Sequence, residues 1–112
     1  MANGVLPLSY STNGAPILLS AAGTPLHVTP VTTITTDRIY LWMCNSTGVE
    51  CRVTIYLGND IILHDYLVLA NSVLVYVVQG IVLNGGASIS ATPNAINIVT
   101  VAGFVVRVTT GS

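Results

Sequence analysis

The stretch Arg38-Ile39-Tyr40-Leu41-Trp42-Met43-Cys44 decides how this chain folds. Side chains alternate along a strand, so Ile39, Leu41 and Met43 share one face while Tyr40, Trp42 and Cys44 share the other. Both faces are apolar. Val73-Leu74-Val75-Tyr76-Val77-Val78 repeats the pattern, and so does the stretch 99–108, where only Thr100 and Arg107 interrupt the apolar run. A two-layer sandwich buries one face of each sheet and leaves the other to water. An oligomer whose copies cover one another's outer faces is therefore expected for half of these residues, the alternative being that β-branched residues among Thr and Ser are tolerated singly at the surface.

Outward from this stretch, the local grammar is that of strands throughout. Val, Ile, Thr and Tyr dominate, and no window of a dozen residues places apolar side chains at i, i+3, i+4 and i+7. Strands are expected at 15–20, 26–33, 38–45, 51–57, 61–69, 73–78, 81–83, 88–91 and 96–108. Turn residues separate them: Gly23-Thr24-Pro25, Ser46-Thr47-Gly48, Gly58-Asn59-Asp60, Ala70-Asn71-Ser72, Asn84-Gly85-Gly86 and Pro93-Asn94. Short strands at this spacing predict an all-β fold, a single antiparallel β-sandwich of about eight strands, jelly-roll-like. Residues 1–14 mix Asn, Gly, Ser and Pro7 with few apolar residues and are expected to form an extended N-terminal arm, with the sandwich domain at 15–112.

Composition narrows the function. Of 112 residues 52% are apolar and 6% charged, and there is no lysine. Soluble domains usually carry about a quarter charged residues. The seven charges are Arg38, Arg52, Arg107, Asp37, Glu50, Asp60 and Asp65, and they would share roughly 5,900 Å² of monomer surface. A net charge of -1 with three isolated arginines does not supply the phosphate contacts that nucleic-acid binding needs, so nucleic acid is not an expected partner. The longest apolar runs fall far short of a spanning helix, and six aromatic residues in a hundred do not furnish the girdles of a membrane barrel. No membrane partner is expected. Nothing at the N-terminus resembles a secretion signal, which predicts a cytosolic origin. Sheet proteins usually guard open edges with lysine, proline or inward charges, so the missing lysine leaves the edges to be closed by the fold or by a partner.

Candidate chemistry is sparse. Cys44 and Cys51 flank the turn at 45–50 and are placed to face each other across a hairpin, with two buried thiols as the default in a reducing compartment. Together with the scattered His27 and His64 they match no compact metal-ligand spacing, so no metal and no cofactor is expected. His64 and Asp65 are adjacent and would point to opposite faces of a strand, which denies them a dyad. Gly85-Gly86-Ala87-Ser88 lacks the glycine pattern of a nucleophile elbow, and no phosphate-cradling loop is present. An enzyme would need a cleft uniting His27 or His64 with a carboxylate, and none is expected. Asn45-Ser46-Thr47 matches the glycosylation sequon but reads as turn chemistry. Tyr40, Trp42, Tyr56, Tyr66 and Tyr76 would suit a carbohydrate platform, yet their place inside strands favours packing.

Four segments carry a family resemblance: Asp37-Arg38-Ile39-Tyr40-Leu41-Trp42 followed by Asn45, Val53-Thr54-Ile55-Tyr56-Leu57-Gly58, the run 83–91 from Leu83-Asn84-Gly85-Gly86, and the closing run 101–108. Together they resemble small tailed-bacteriophage virion proteins, closest to the jelly-roll capsid cement, or decoration, proteins. The resemblance covers residues 15–109, and its motifs are strand and turn signatures rather than chemistry. It implies a structural homotrimer on the outside of the phage head, bound to the major capsid protein, made in the bacterial cytoplasm and carried on the virion. Modest contacts from each copy would add through avidity. Candidate oligomer or capsid contacts are Leu6, Tyr10, Tyr40, Trp42, Tyr56, Tyr76 and Phe104. A head-fibre, neck or tail component, or a glycan- or host-surface-binding sandwich, is the alternative.

Overall fold

The computed structural model describes residues 4–109, with backbone alone at 73 and 74; residues 1–3 of the expected arm and 110–112 lie outside the described residues. All regular structure is strand: β1 (Gly4–Pro7), β2 (Ile17–Leu18), β3 (Thr24–Val28), β4 (Thr35–Asn45), β5 (Cys51–Leu57), β6 (Asp60–Val68), β7 (Ser72–Asn84), β8 (Ser88–Pro93) and β9 (Thr100–Thr109). The pairing is nested. β5 pairs with β6, β4 with β7, β3 with β8, and β1 and β2 share β9, as in one long hairpin folded at the β5–β6 turn. Rolling that hairpin makes β4 a neighbour of β9 and β5 a neighbour of β8. Two sheets result, ordered β1-β9-β4-β7, with β2 also on β9, and β3-β8-β5-β6. This is the double Greek key of a jelly roll, with β1 and β2 as the halves of one interrupted first strand.

Alternation sorts β4 as expected: Thr35, Asp37, Ile39, Leu41, Met43 and Asn45 are buried, and the residues between them are half-buried or exposed. The core between the sheets takes Leu26, Ile39, Leu41, Met43, Val53, Ile55, Leu83, Ile89, Val101 and Val105, each at most 1% exposed. Gly103 lies opposite Leu41. A Cβ there would run into the Tyr40 carbonyl oxygen and the Leu41 side chain, so the close approach of β4 and β9 requires glycine.

Three expectations change. Residues 4–14 are not separate from the sandwich, because β1 pairs with β9 and Leu8 is fully buried in the core. Leu6 and Leu8 anchor this segment against the core despite the loop-like composition around them. The stretches 73–78 and 81–83 form one strand, β7, because Gly80 at φ +81° is absorbed as a bulge rather than a turn. Finally, β4 and β5 belong to different sheets, so the turn at 45–50 crosses the sandwich and Cys44 and Cys51 do not face each other across a hairpin. Both thiols are free, with Cys51 buried and Cys44 half-buried.

The edges are guarded without lysine. β3 carries Pro25 and a register break between Pro25 and His27. β6 carries Asp60, His64 and Asp65, with two breaks against β5 and Asp65 at φ +54°. β7 shows three breaks against β4, and the β1/β2 edge consists of two short pieces. Bulges twist an edge away from edge-to-edge pairing, so the fold itself limits strand addition. The uncovered apolar area lies elsewhere, on a sheet face.

Candidate interaction face and buried polar cluster

The outward residues of β4 are Thr36, Arg38, Tyr40, Trp42 and Cys44, and their neighbours on β9 are Val108, Val106, Phe104, Ala102 and Thr100. On β7, Tyr76 lies beside Trp42 and Val82 beside Arg38. The rings stand in file across the sheet. Trp42 and Tyr76 stack at 4.6 Å with planes 6° apart, Tyr40 and Phe104 stack at 4.8 Å and 10°, and Trp42 and Phe104 meet at 5.6 Å, tilted by 34°. The two stacked spacings are close to the distance between neighbouring strands, so each of these rings leans on its partner in the next strand. Around them Val5, Leu18, Tyr76, Val82 and Val108 are 39–69% exposed. No layer of the chain covers this face among the described residues, and Arg38 is its one charge.

The outer face of the other sheet is different. Thr54 and Tyr56 on β5 alternate with core residues, and Ser88, Ser90 and Thr92 line β8, with Arg52 3.8 Å from Asp65. The sandwich has a hydroxyl-rich wet face, which also exposes Val28 and Ile61, and a more apolar dry face, interrupted by Arg38 and Gln79. Of the candidate contacts, Tyr40, Trp42, Tyr76 and Phe104 come together on the dry face. Tyr56 sits on the wet sheet, Leu6 packs against the core, and Tyr10 is exposed beyond β1, where its N–H donates to the Leu26 carbonyl at 3.3 Å.

A buried polar cluster lies at the Asp37 end of the core. Arg107 Nε donates to Asp37 Oδ1 at 2.7 Å and Arg107 Nη2 donates to Oδ2 at 2.9 Å, a two-pronged grip across β4 and β9. His27 Nε2 lies 2.7 Å from Oδ2, and the Thr29 hydroxyl donates to the same oxygen at 3.2 Å. The Ser9 N–H donates to His27 Nδ1 at 3.0 Å, so the ring's proton sits on Nε2 and points at Asp37. Ser9 Oγ is 2.9 Å from the same Nδ1 and accepts the Val28 N–H at 2.8 Å. Burial of Asp37 pushes its carboxyl pKa up, but the hydrogen bonds from Arg107 and His27 and the Arg107 charge outweigh this and hold it below the ordinary carboxylate value. The same hydrogen bonds push Arg107 up.

Thus Ser9, His27 and Asp37 form a hydroxyl–imidazole–carboxylate line, which the sequence reading did not expect. His27 is 2% exposed, its Nδ1 is shared with a backbone N–H, and no pocket opens among the described residues. The line ties the segment after β1 to β3 and β4. Its signal was in the sequence: Asp37 shares the inward phase of Ile39, and Arg107 that of Val105, so two opposite charges were due inside the sandwich. His64 and Asp65 are both exposed. Asn45, expected in turn chemistry, is fully buried: its Nδ2 donates to the Val49 carbonyl at 2.7 Å, and its Oδ1 accepts from the Thr47 N–H at 2.9 Å and hydroxyl at 2.7 Å. It organises the crossing from β4 to β5. No group of His, Cys, Asp or Glu placed to hold a metal occurs among the described residues. No family model, curated protein or solved structure matches this chain.

Proposed function

We propose that this chain is a structural protein of a virus particle, a capsid-decorating protein of a tailed phage that works as an assembly of identical copies and contributes contact rather than chemistry. The observation that carries the reading is the division into a wet and a dry face. A lone monomer would leave the Tyr76–Trp42–Phe104–Tyr40 row and its valine surround in water, whereas an assembly covers it. The resemblance of the strand and turn segments to capsid cement proteins supplies the setting. Copies joined to one another bind a repetitive shell at several points at once, so weak contacts add through avidity, and binding to the assembled shell stabilises that state by linkage.

The dry face speaks against the glycan alternative. Sugars stack on open ring faces, and here Trp42 and Tyr76 turn one face each to one another, as do Tyr40 and Phe104, which favours packing between the rings. The test is co-sedimentation with DNA-free heads of the phage that encodes the chain. Wild-type protein is expected to pellet with the heads, and the double variant Val106→Glu/Val108→Glu, which puts two charges on the dry face, to remain in the supernatant. Wild-type protein that stays in the supernatant, or binds a glycan array instead, overturns the reading.

A further inference from the structure

We propose that the segment 4–11 is held on the sandwich by a latch that opens when the buried His27 ring takes up a second proton. Release leaves the rest of the sandwich folded and bares the β9 edge at 104–107, which β1 otherwise pairs. The device needs no partner and does not rest on the virion reading.

The segment has few holds besides this one. β1 is an edge piece of four residues in which Gly4, Val5 and Pro7 are exposed. Leu6 packs against the core and Leu8 is buried in it. Ser9 then ties the segment to β3. Its N–H donates to His27 Nδ1 at 3.0 Å, and its Oγ lies 2.9 Å from the same nitrogen and accepts the Val28 N–H at 2.8 Å. Beyond it, the Tyr10 N–H reaches the Leu26 carbonyl at 3.3 Å. Two of the Ser9 ties therefore end on one nitrogen of a side chain that is 2% exposed.

That nitrogen holds both ties only while it bears no proton. Nε2 carries the ring's proton toward Asp37, so a second proton goes to Nδ1 and turns an acceptor into a donor. The Ser9 hydroxyl can rotate and accept from it, but the Ser9 N–H is fixed by the backbone and would meet another N–H. A buried donor without an acceptor is costly, and release of the segment puts both groups in water. The charged ring keeps its support once the segment is off: Asp37 on β4 stays against Nε2, with Arg107 of β9 and the Thr29 hydroxyl on the same carboxylate. Arg38, next on β4, points to the outer face. β8, the strand paired with β3, has no titratable side chain, and Tyr10 is the one such side chain at 4–11. Protonation and docking therefore oppose each other. The latch is closed at high pH and weakens as the pH falls through the range in which an imidazole charges. Asp37, held below the ordinary carboxylate value, stays charged across that range.

The test is amide hydrogen exchange of the full chain, followed by NMR from about pH 8 to about pH 5, with each rate divided by the intrinsic rate at that pH. Protection of the Ser9 and β1 amides is expected to be level in the alkaline part. Below it, protection should fall by up to about tenfold per pH unit, the limit for one proton, while the amides of β4 and β5 keep theirs. In His27→Gln, whose side chain takes no proton, the segment's protection should not vary with pH. His64→Gln, at the exposed histidine of β6, should behave as the wild type. Segment protection that is flat in the wild type, that falls together with β4 and β5, that falls equally in His27→Gln, or whose fall is lost in His64→Gln would overturn the latch. Ring nitrogen shifts of the wild type decide it without a variant. Nδ1 is expected to be bare while the Ser9 amide is protected, and a charged His27 ring with Ser9 still protected would overturn the proposal.

Discussion

Asp37 concentrates the chain's most consequential polar contacts in one side chain. Its carboxylate is fully buried and holds Arg107, His27 and Thr29 around two oxygens. Removing one member of such a buried pair leaves the other charge without compensation, so Asp37→Ala is expected to cost about 3–5 kcal/mol in urea unfolding. An equal urea midpoint in the variant would contradict this. Because the folded state lowers the Asp37 pKa, its contribution is fully present above the unfolded carboxylate value of about 3.9. It is lost as the pH falls through the lower folded value. A melting series from pH 5 downward should show this loss in the wild type and a flatter profile in Asp37→Asn. Gly103 makes a second residue-scale case: Gly103→Ala drives a methyl into the Tyr40 carbonyl and should cost about 1–3 kcal/mol. Neither feature was read from the sequence, for different reasons. The Asp37–Arg107 pair was legible in the inward phase of both residues, but partner choice depends on β9 lying beside β4, a contact across 70 positions of chain. The need for glycine at 103 arises only from that same approach.

At the scale of elements, strand content and order were legible where alternation was strict. β4 and β5 fall within three residues of their expected bounds, and their buried positions recur at every second residue. Alternation fails where bulges intervene. In β6, exposed and half-buried residues come in pairs, and in β7 the glycine that reads as a break is a kink inside one long strand. A bulge is set by the partner strand as well as by its own residues, so single-chain patterning misplaces it. Gly80 is the clearest handle: it sits at φ +81°, and a Cβ there would lie 3.2 Å from the Tyr40 hydroxyl. Gly80→Val is expected to destabilise the fold by about 1–3 kcal/mol, while Gly48→Val, in open space at a turn, should change little. Equal melting temperatures for the two variants would show that the bulge is not constrained as described.

For the whole molecule, seven charges and no lysine carry the argument furthest. They are not spread evenly: Asp37 and Arg107 lie inside, Arg52 and Asp65 pair on the wet side, and Arg38 stands alone on the dry face. With so little charge on the surfaces that meet, head binding should change little between low and high ionic strength. A steep loss of occupancy with salt would point to an electrostatic attachment. From the sequence came the expectation that one face is covered, because several strands are apolar on both sides. Which face it was depended on the rolled topology. The central claim, that the dry face is covered by protein, is tested most directly by hydroxyl-radical footprinting of the native protein against Val106→Glu/Val108→Glu. Tyr40, Trp42, Tyr76 and Phe104 should be protected in the native protein and react freely in the variant, with Tyr56 on the wet face reacting alike in both. Equal reactivity of the four rings in native and variant protein would contradict the account.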